Sequence, residues 1–168
     1  HCGHSKIIGT AKSVFQSQRL DAVVVVIVEG EKSSEDKTKN PLPGTSRIEY
    51  LQNSKYGKGV VYIVAKNAFE AFVKVREAGY EPISIVGGKL PDEDRAKSYK
   101  ENMLDKYFNE DDGTKIEHHA FSVERDPNAE GVKGVSGTIV RAAVMADRYE
   151  DFAEWVCLDS EEITRKMY

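Results

Sequence analysis

The sequence predicts an α/β fold built on a mainly parallel sheet with flanking helices. Three observations predict it. Short β-branched runs alternate with amphipathic segments of helix length, the strand-like runs are nearly uniformly apolar, and glycine or proline clusters stand at the breaks. With 168 residues the chain has the length of one domain and can bury a sizeable core unaided, so residues 1–168 are expected to form a single domain, alone or within a longer polypeptide.

Taken in order, Ser5 to Leu20 carries Ile7, Ile8, Ala11, Val14 and Phe15 at spacings of three and four, which predicts a helix starting just after Gly3 and His4. Val23 to Val28 predicts a central strand covered on both faces. The polar stretch Glu29 to Asn40 reads as a solvated loop, punctuated by Pro41 to Gly44, and Ser46 to Asn53 reads as a helix. Val60 to Ala65, Ala68 to Ala78 and Pro82 to Val86 predict strand, helix and strand, with Gly87-Gly88 turning the chain sharply. A helix-prone segment, Pro91 to Phe108, leads to a strand over Lys115 to Phe121. Helices are expected at Thr138–Met145, Tyr149–Cys157 and Ser160–Met167, with Trp155 and Cys157 in the core.

Composition narrows the function. Hydrophobic residues make up 40% and charged residues 31%, as in globular proteins, and the net charge of -4 argues against a dedicated nucleic-acid partner. The apolar run Ala22 to Val28 is too short to cross a bilayer, so no membrane partner is expected. Cys2 and Cys157 lie at opposite ends and form no CxxC pair or disulfide framework, which suggests a reducing, cytoplasmic compartment.

Two segments carry chemistry. His1-Cys2-Gly3-His4 precedes a helix, where backbone N–H groups and the positive end of a helix dipole attract an anion. The glycine admits a phosphate close to the backbone, and the imidazoles can donate to oxygens that gain charge during reaction. A metal-binding HxxH or remnant tag residues would give the same letters. Near the other end, Ser136 or Thr138 can cap a helix whose first turn carries Arg141, and the fork of that arginine suits the β and γ phosphates. A capped helix with a surface arginine reads equally well there.

Together these segments resemble the signature pair of the HxGH nucleotidyltransferases, in which HxGH near the start is followed by a sequence similar to I-S-x-T-x-x-R. Lys39-Asn40-Pro41-Leu42, with Arg47 and Tyr50 downstream, resembles a segment of the adenylyltransferase-like proteins of tailed bacteriophages. So does Glu124-Arg125-Asp126-Pro127-Asn128-Ala129-Glu130-Gly131-Val132. The resemblance spans nearly the whole chain. It implies a Rossmann-like sheet whose first strand lies upstream of His1, with the triphosphate above the carboxyl ends of the strands. It further implies ATP and Mg²⁺, and transfer of an adenylyl group to a small phosphorylated acceptor such as nicotinamide mononucleotide.

Residue by residue, the resemblance assigns His1, His4, Lys39 and Arg141 to catalysis and Gly3, Ser136, Gly137 and Thr138 to the nucleotide. Arg47, Gly87, Arg125 and Asp126 fall on the substrate side, and no protein metal site is assigned. The chain departs from its relatives at Val86-Gly87-Gly88-Lys89-Leu90, where V-G-S-D-R is usual, and at Gly137, where Ser is common. The alternative is a non-catalytic nucleotide-binding or structural domain of a larger phage protein. The resemblance places the chain in the cytoplasm of an infected host or in the virion, as a homo-oligomer or part of a larger assembly.

Overall fold

The computed structural model describes residues 1–124 and 134–168. The chain opens with α1 (Cys2–Ser17), which starts inside the HxGH-like segment rather than after it. The cause is local: the His1 side chain is the N-cap, its Nδ1 accepting the Gly3 N–H at 3.2 Å. Ile8 and Val14 are buried from this helix.

β1 (Val24–Val28) pairs in parallel with β2 (Val61–Ala65), Val24 opposite Val61 and Val28 opposite Ala65. Their crossover holds α2 (Glu31–Glu35) and α3 (Gly44–Gln52). α4 (Ala68–Glu77) follows, its cap Asn67 accepting the Glu70 N–H. β3 (Ser84–Leu90) then turns into the two-residue β4 (Glu93–Asp94), antiparallel to it. α5 (Arg95–Tyr99), a π-helical turn (Lys100–Leu104) and α6 (Asp105–Tyr107) form one continuous helical stretch. It leads to β5 (His119–Glu124), parallel to β3, and the chain ends in α7 (Gly137–Met145), α8 (Tyr149–Val156) and α9 (Glu161–Met167).

The architecture is therefore mixed α/β with small parallel and mixed sheets, and the predicted elements recur in the predicted order. Besides the early start of α1 and the short helix α2 within the stretch Glu29 to Asn40 that reads as a loop, three details differ from expectation. Gly87 and Gly88 do not turn the chain; they continue β3, which pairs with β5 through Lys89. A Cβ on Gly87 would stand 3.4 Å from that of Ala96, so the residue admits α5 close to the strand.

Second, the parallel strands form two separate sheets, β1-β2 and β4-β3-β5. Between β1 and β3 lies a cavity of about 510 Å³, walled also by Val14 and Phe15 of α1 and by Ala71 and Val75 of α4. Third, β1 is less covered than a central strand should be: of its residues only Ile27 is buried, and Val28 is exposed. The apolar run borders that open slot instead of a neighbouring strand, which accounts for the shortfall.

α1 fixes the polarity of the slot. Ile7, near its start, faces Gly88 late in β3, while Gln18 at its end accepts from the Ser84 hydroxyl at the start of β3. The helix thus runs antiparallel to β3 and begins at the carboxyl end of the strand. The core divides likewise. Phe72, Leu104 and Phe108 pack under α4, and a second cluster of Val135, Val140, Ala143, Phe152 and Val156 holds the C-terminal helices. Trp155, expected in the core, is half-buried against the second cluster, with the Arg148 guanidinium 5.9 Å from its ring. Among the described residues no helix is long and apolar enough to cross a membrane.

Candidate functional site

The first turn of α1 presents His1, Gly3 and His4 at the carboxyl edge of β3. The two imidazoles stack with centroids 4.1 Å apart, and His4 is exposed. Stacking fixes both rings on one side of the turn, where their nitrogens and the helix dipole act on the same volume. A Cβ on Gly3 would come within 2.9 Å of the His1 ring, so glycine suits this stacked arrangement.

The first turn of α7 is the second part. Ser136 caps it, its Oγ accepting the Ile139 N–H at 3.3 Å. Arg141 folds back over the turn: Nη2 donates to Thr138 Oγ1 at 3.3 Å, and a Cβ on Gly137 would meet Nη1 at 3.0 Å. Glycine at this position leaves the guanidinium room to lie along the helix start.

Cys2 and Cys157 join the two parts in a way the sequence reading excluded. They form a disulfide with Cα atoms 5.2 Å apart, tying the first turn of α1 to the end of α8, which packs on α7. Distance along the chain, 155 residues, concealed their proximity. The expectation of unpaired thiols, and of Cys157 as a core residue, is corrected accordingly. With its sulfur so engaged, Cys2 adds no thiolate to a metal site at the histidines.

The other assigned cations in the described residues are held by carboxylates. Lys39, with 76% of its side chain exposed, pairs with Asp36 at 3.2 Å. Asp36 also accepts from the Thr38 hydroxyl and from the Thr38 and Lys39 amides, an Asx turn that shapes the loop. The Thr38 hydroxyl and then Lys39 hold the Asp36 carboxyl down at about 2. Arg47 Nη2 donates to Glu29 at 2.9 Å, and Glu29 also accepts the Gly44 N–H at the start of α3. The Arg47 Nε is buried with no hydrogen-bond partner. Arg125 and Asp126 lie outside the described residues.

The Asp36 turn carries a prediction. Its folded pKa is depressed, so its stabilising effect is present above the ordinary aspartate range near 4 and is lost as the pH falls towards 2. NMR titration of the side-chain carboxyls is expected to place the Asp36 midpoint near 2, and Thr38→Ala to move it up towards the ordinary value. A midpoint near 4 in the unsubstituted chain would mean the turn is not formed in solution.

A pair missed in the sequence sits at the carboxyl end of β3. The hairpin sets Asp94 opposite Lys89, followed by Arg95, which borders the cavity. Hydrogen bonds from the Ser122 hydroxyl and the Lys97 amide hold the Asp94 carboxyl below the ordinary range. An acid and a base thus stand at the strand end where Lys89-Leu90 suggested they were lost. The dipeptide Asp94-Arg95 was the available signal, hidden by the assumption that Gly87-Gly88 ends the strand.

Comparison of the chain with protein-family models, with curated proteins and with solved structures finds no match in any of the three.

Proposed function

We propose that this chain is a nucleotidyltransferase domain of the HxGH kind. It takes Mg²⁺-bound ATP as substrate and transfers the adenylyl group to a phosphate-bearing acceptor such as nicotinamide mononucleotide, releasing pyrophosphate. The observation that carries this reading is the first turn of α7, where Ser136 caps the helix and Arg141 lies over Gly137 beside Thr138. That turn offers backbone donors and a planar cationic fork to the β and γ phosphates.

In the reaction the acceptor phosphate oxygen attacks the α-phosphorus in line, the bond to the bridging oxygen breaks, and pyrophosphate leaves. His1 and His4 act on charge developing at the transferred phosphorus, and Gly3 lets it approach α1. Lys39 exchanges Asp36 for the triphosphate, while Arg47, Arg125 and Asp126 serve the acceptor side. Gly87 contributes through the packing of β3 on α5. The finer fold is a single Rossmann-like sheet, in which one further strand, parallel to both neighbours, occupies the slot between β1 and β3.

The second reading is a non-catalytic nucleotide-binding or structural domain of a larger phage protein, acting in the host cytoplasm or the virion. The Lys39–Asp36 and Arg47–Glu29 pairs favour it, because they engage two of the assigned cations in the protein's own ion pairs. Pyrophosphate release with ATP and Mg²⁺, with nicotinamide mononucleotide or phosphopantetheine added in turn, separates the two. Acceptor-dependent release is expected; ATP binding with no release under any acceptor supports the second reading.

A further inference from the structure

We propose that Cys2–Cys157 is a reversible thiol–disulfide switch that locks the α7–α9 helices onto the first turn of α1. The bond spans 155 residues and ties the end of α8 to the start of α1. The buried cluster of the C-terminal helices draws every member from residues 135–156. Its other ties to the rest of the chain include the Asp159 N–H to the Asn53 carbonyl, the Ser54–Leu158 bridge, and Lys166 to Glu49, an exposed ion pair. The first two are backbone contacts, with Ser54 buried, and the third, as an exposed pair, holds little, so a covalent tie to α1 adds a constraint that none of them supplies.

The two sulfurs are chemically unequal. Cys2 is only 8% exposed and stands in the first turn of a 16-residue helix, whereas Cys157 is half-buried at the end of α8. An incoming thiolate therefore reaches Cys157 Sγ first. The S–S bond breaks and Cys2 leaves as the thiolate, stabilised by the positive end of α1. With glutathione, this first step makes a mixed disulfide on Cys157. A second glutathione thiolate attacks its glutathione sulfur, freeing Cys157 and yielding oxidised glutathione. Two electrons enter the protein, and oxidation is the same sequence reversed.

Cys157 also has φ 54° and ψ 48°, the left-handed conformation that is unfavourable for a residue with a Cβ. Reduction removes the covalent restraint at that residue, so the end of α8 is free to relax. Resting on the proposed function, a second consequence follows. A Cys2 thiolate between His1 and Gly3-His4 places negative charge where the nucleotide's phosphates would bind, and α7 is no longer tied to α1. The oxidised form is then the binding form.

The test equilibrates the full chain in glutathione buffers of graded reduced-to-oxidised ratio, counts free thiols by alkylation and mass, and measures melting and Mg²⁺-ATP binding at each ratio. Free thiols are expected to titrate reversibly between zero and two. Melting should fall by on the order of 10 °C on reduction, as closure of so long a loop predicts. ATP should bind at least several-fold more weakly to the reduced form, with Cys157→Ser behaving as reduced at every ratio. Thiols that stay fully free or fully oxidised throughout, or forms that melt together, would overturn the switch. Equal ATP affinity in both forms would overturn its coupling to the site. A working thiol titration and melting shift with no ATP binding in either form would instead overturn the nucleotide reading and leave the switch standing.

Discussion

His4→Ala is expected to lower acceptor-dependent pyrophosphate release about a hundredfold while leaving the fold intact. The size follows from removing one preorganised donor to developing charge, a loss of about 2.7 kcal/mol of transition-state stabilisation. The fold should tolerate it because the His4 side chain is exposed on α1, while the buried Ile8 and Val14 that anchor the helix are untouched. His1 is a poorer choice for this experiment, since its ring also caps α1 through the Gly3 N–H. Lys32→Ala, on the short exposed helix α2, provides the comparison and should change turnover little. In the kinetics, kcat and kcat/KM should fall together, as they do when the lost contact belongs to the transition state. Should His4→Ala and Lys32→Ala turn over alike, the role given to the first turn of α1 is wrong.

What was legible in the sequence had local causes. The β-branched runs at Val24–Val28 and Val61–Ala65 and the cap Ser136 act within a few residues, and the elements lie close to where they were expected. Gly87-Gly88 misled because glycine marks a turn only when the backbone must leave the strand region. Here the constraint is the close approach of Ala96, a residue of a later helix. Through-space pairings were hidden for the same reason. Cys2 with Cys157, Arg47 with Glu29, and Lys89 opposite Asp94 depend on how the chain returns on itself. The two helix starts, at His1-Cys2-Gly3-His4 and at Ser136-Gly137-Thr138, were therefore readable, while the bond linking the first to the end of α8 and the carboxylates holding Lys39 and Arg47 were not.

Phe152→Ala is expected to cost about 3–5 kcal/mol, a large share of the stability of an ordinary domain. Phe152 is 2% exposed at the centre of the C-terminal cluster, its ring 5.1 Å from that of Tyr168 and packed with Val140, Ala143 and Val156. Truncation removes the ring's contacts with the α7 side of the cluster and with Tyr168 after α9, so the lost area is compounded by a cavity that its neighbours would have to close. Met145→Ala, 88% exposed on α7, should stay within about 0.5 kcal/mol and serves as the control. Denaturant unfolding is best followed at Trp155, the single tryptophan, which packs on this cluster, alongside far-ultraviolet circular dichroism of the whole chain. With the disulfide intact, the two signals should move together to a lower midpoint at unchanged slope, because the C-terminal helices cannot separate from α1. A fall at Trp155 alone would mean that these helices unfold as their own unit, and α7 would then be positioned by its packing on α8 without help from the bond to Cys2. A cost no greater than that of Met145→Ala would mean that Phe152 is not the centre of a packed core.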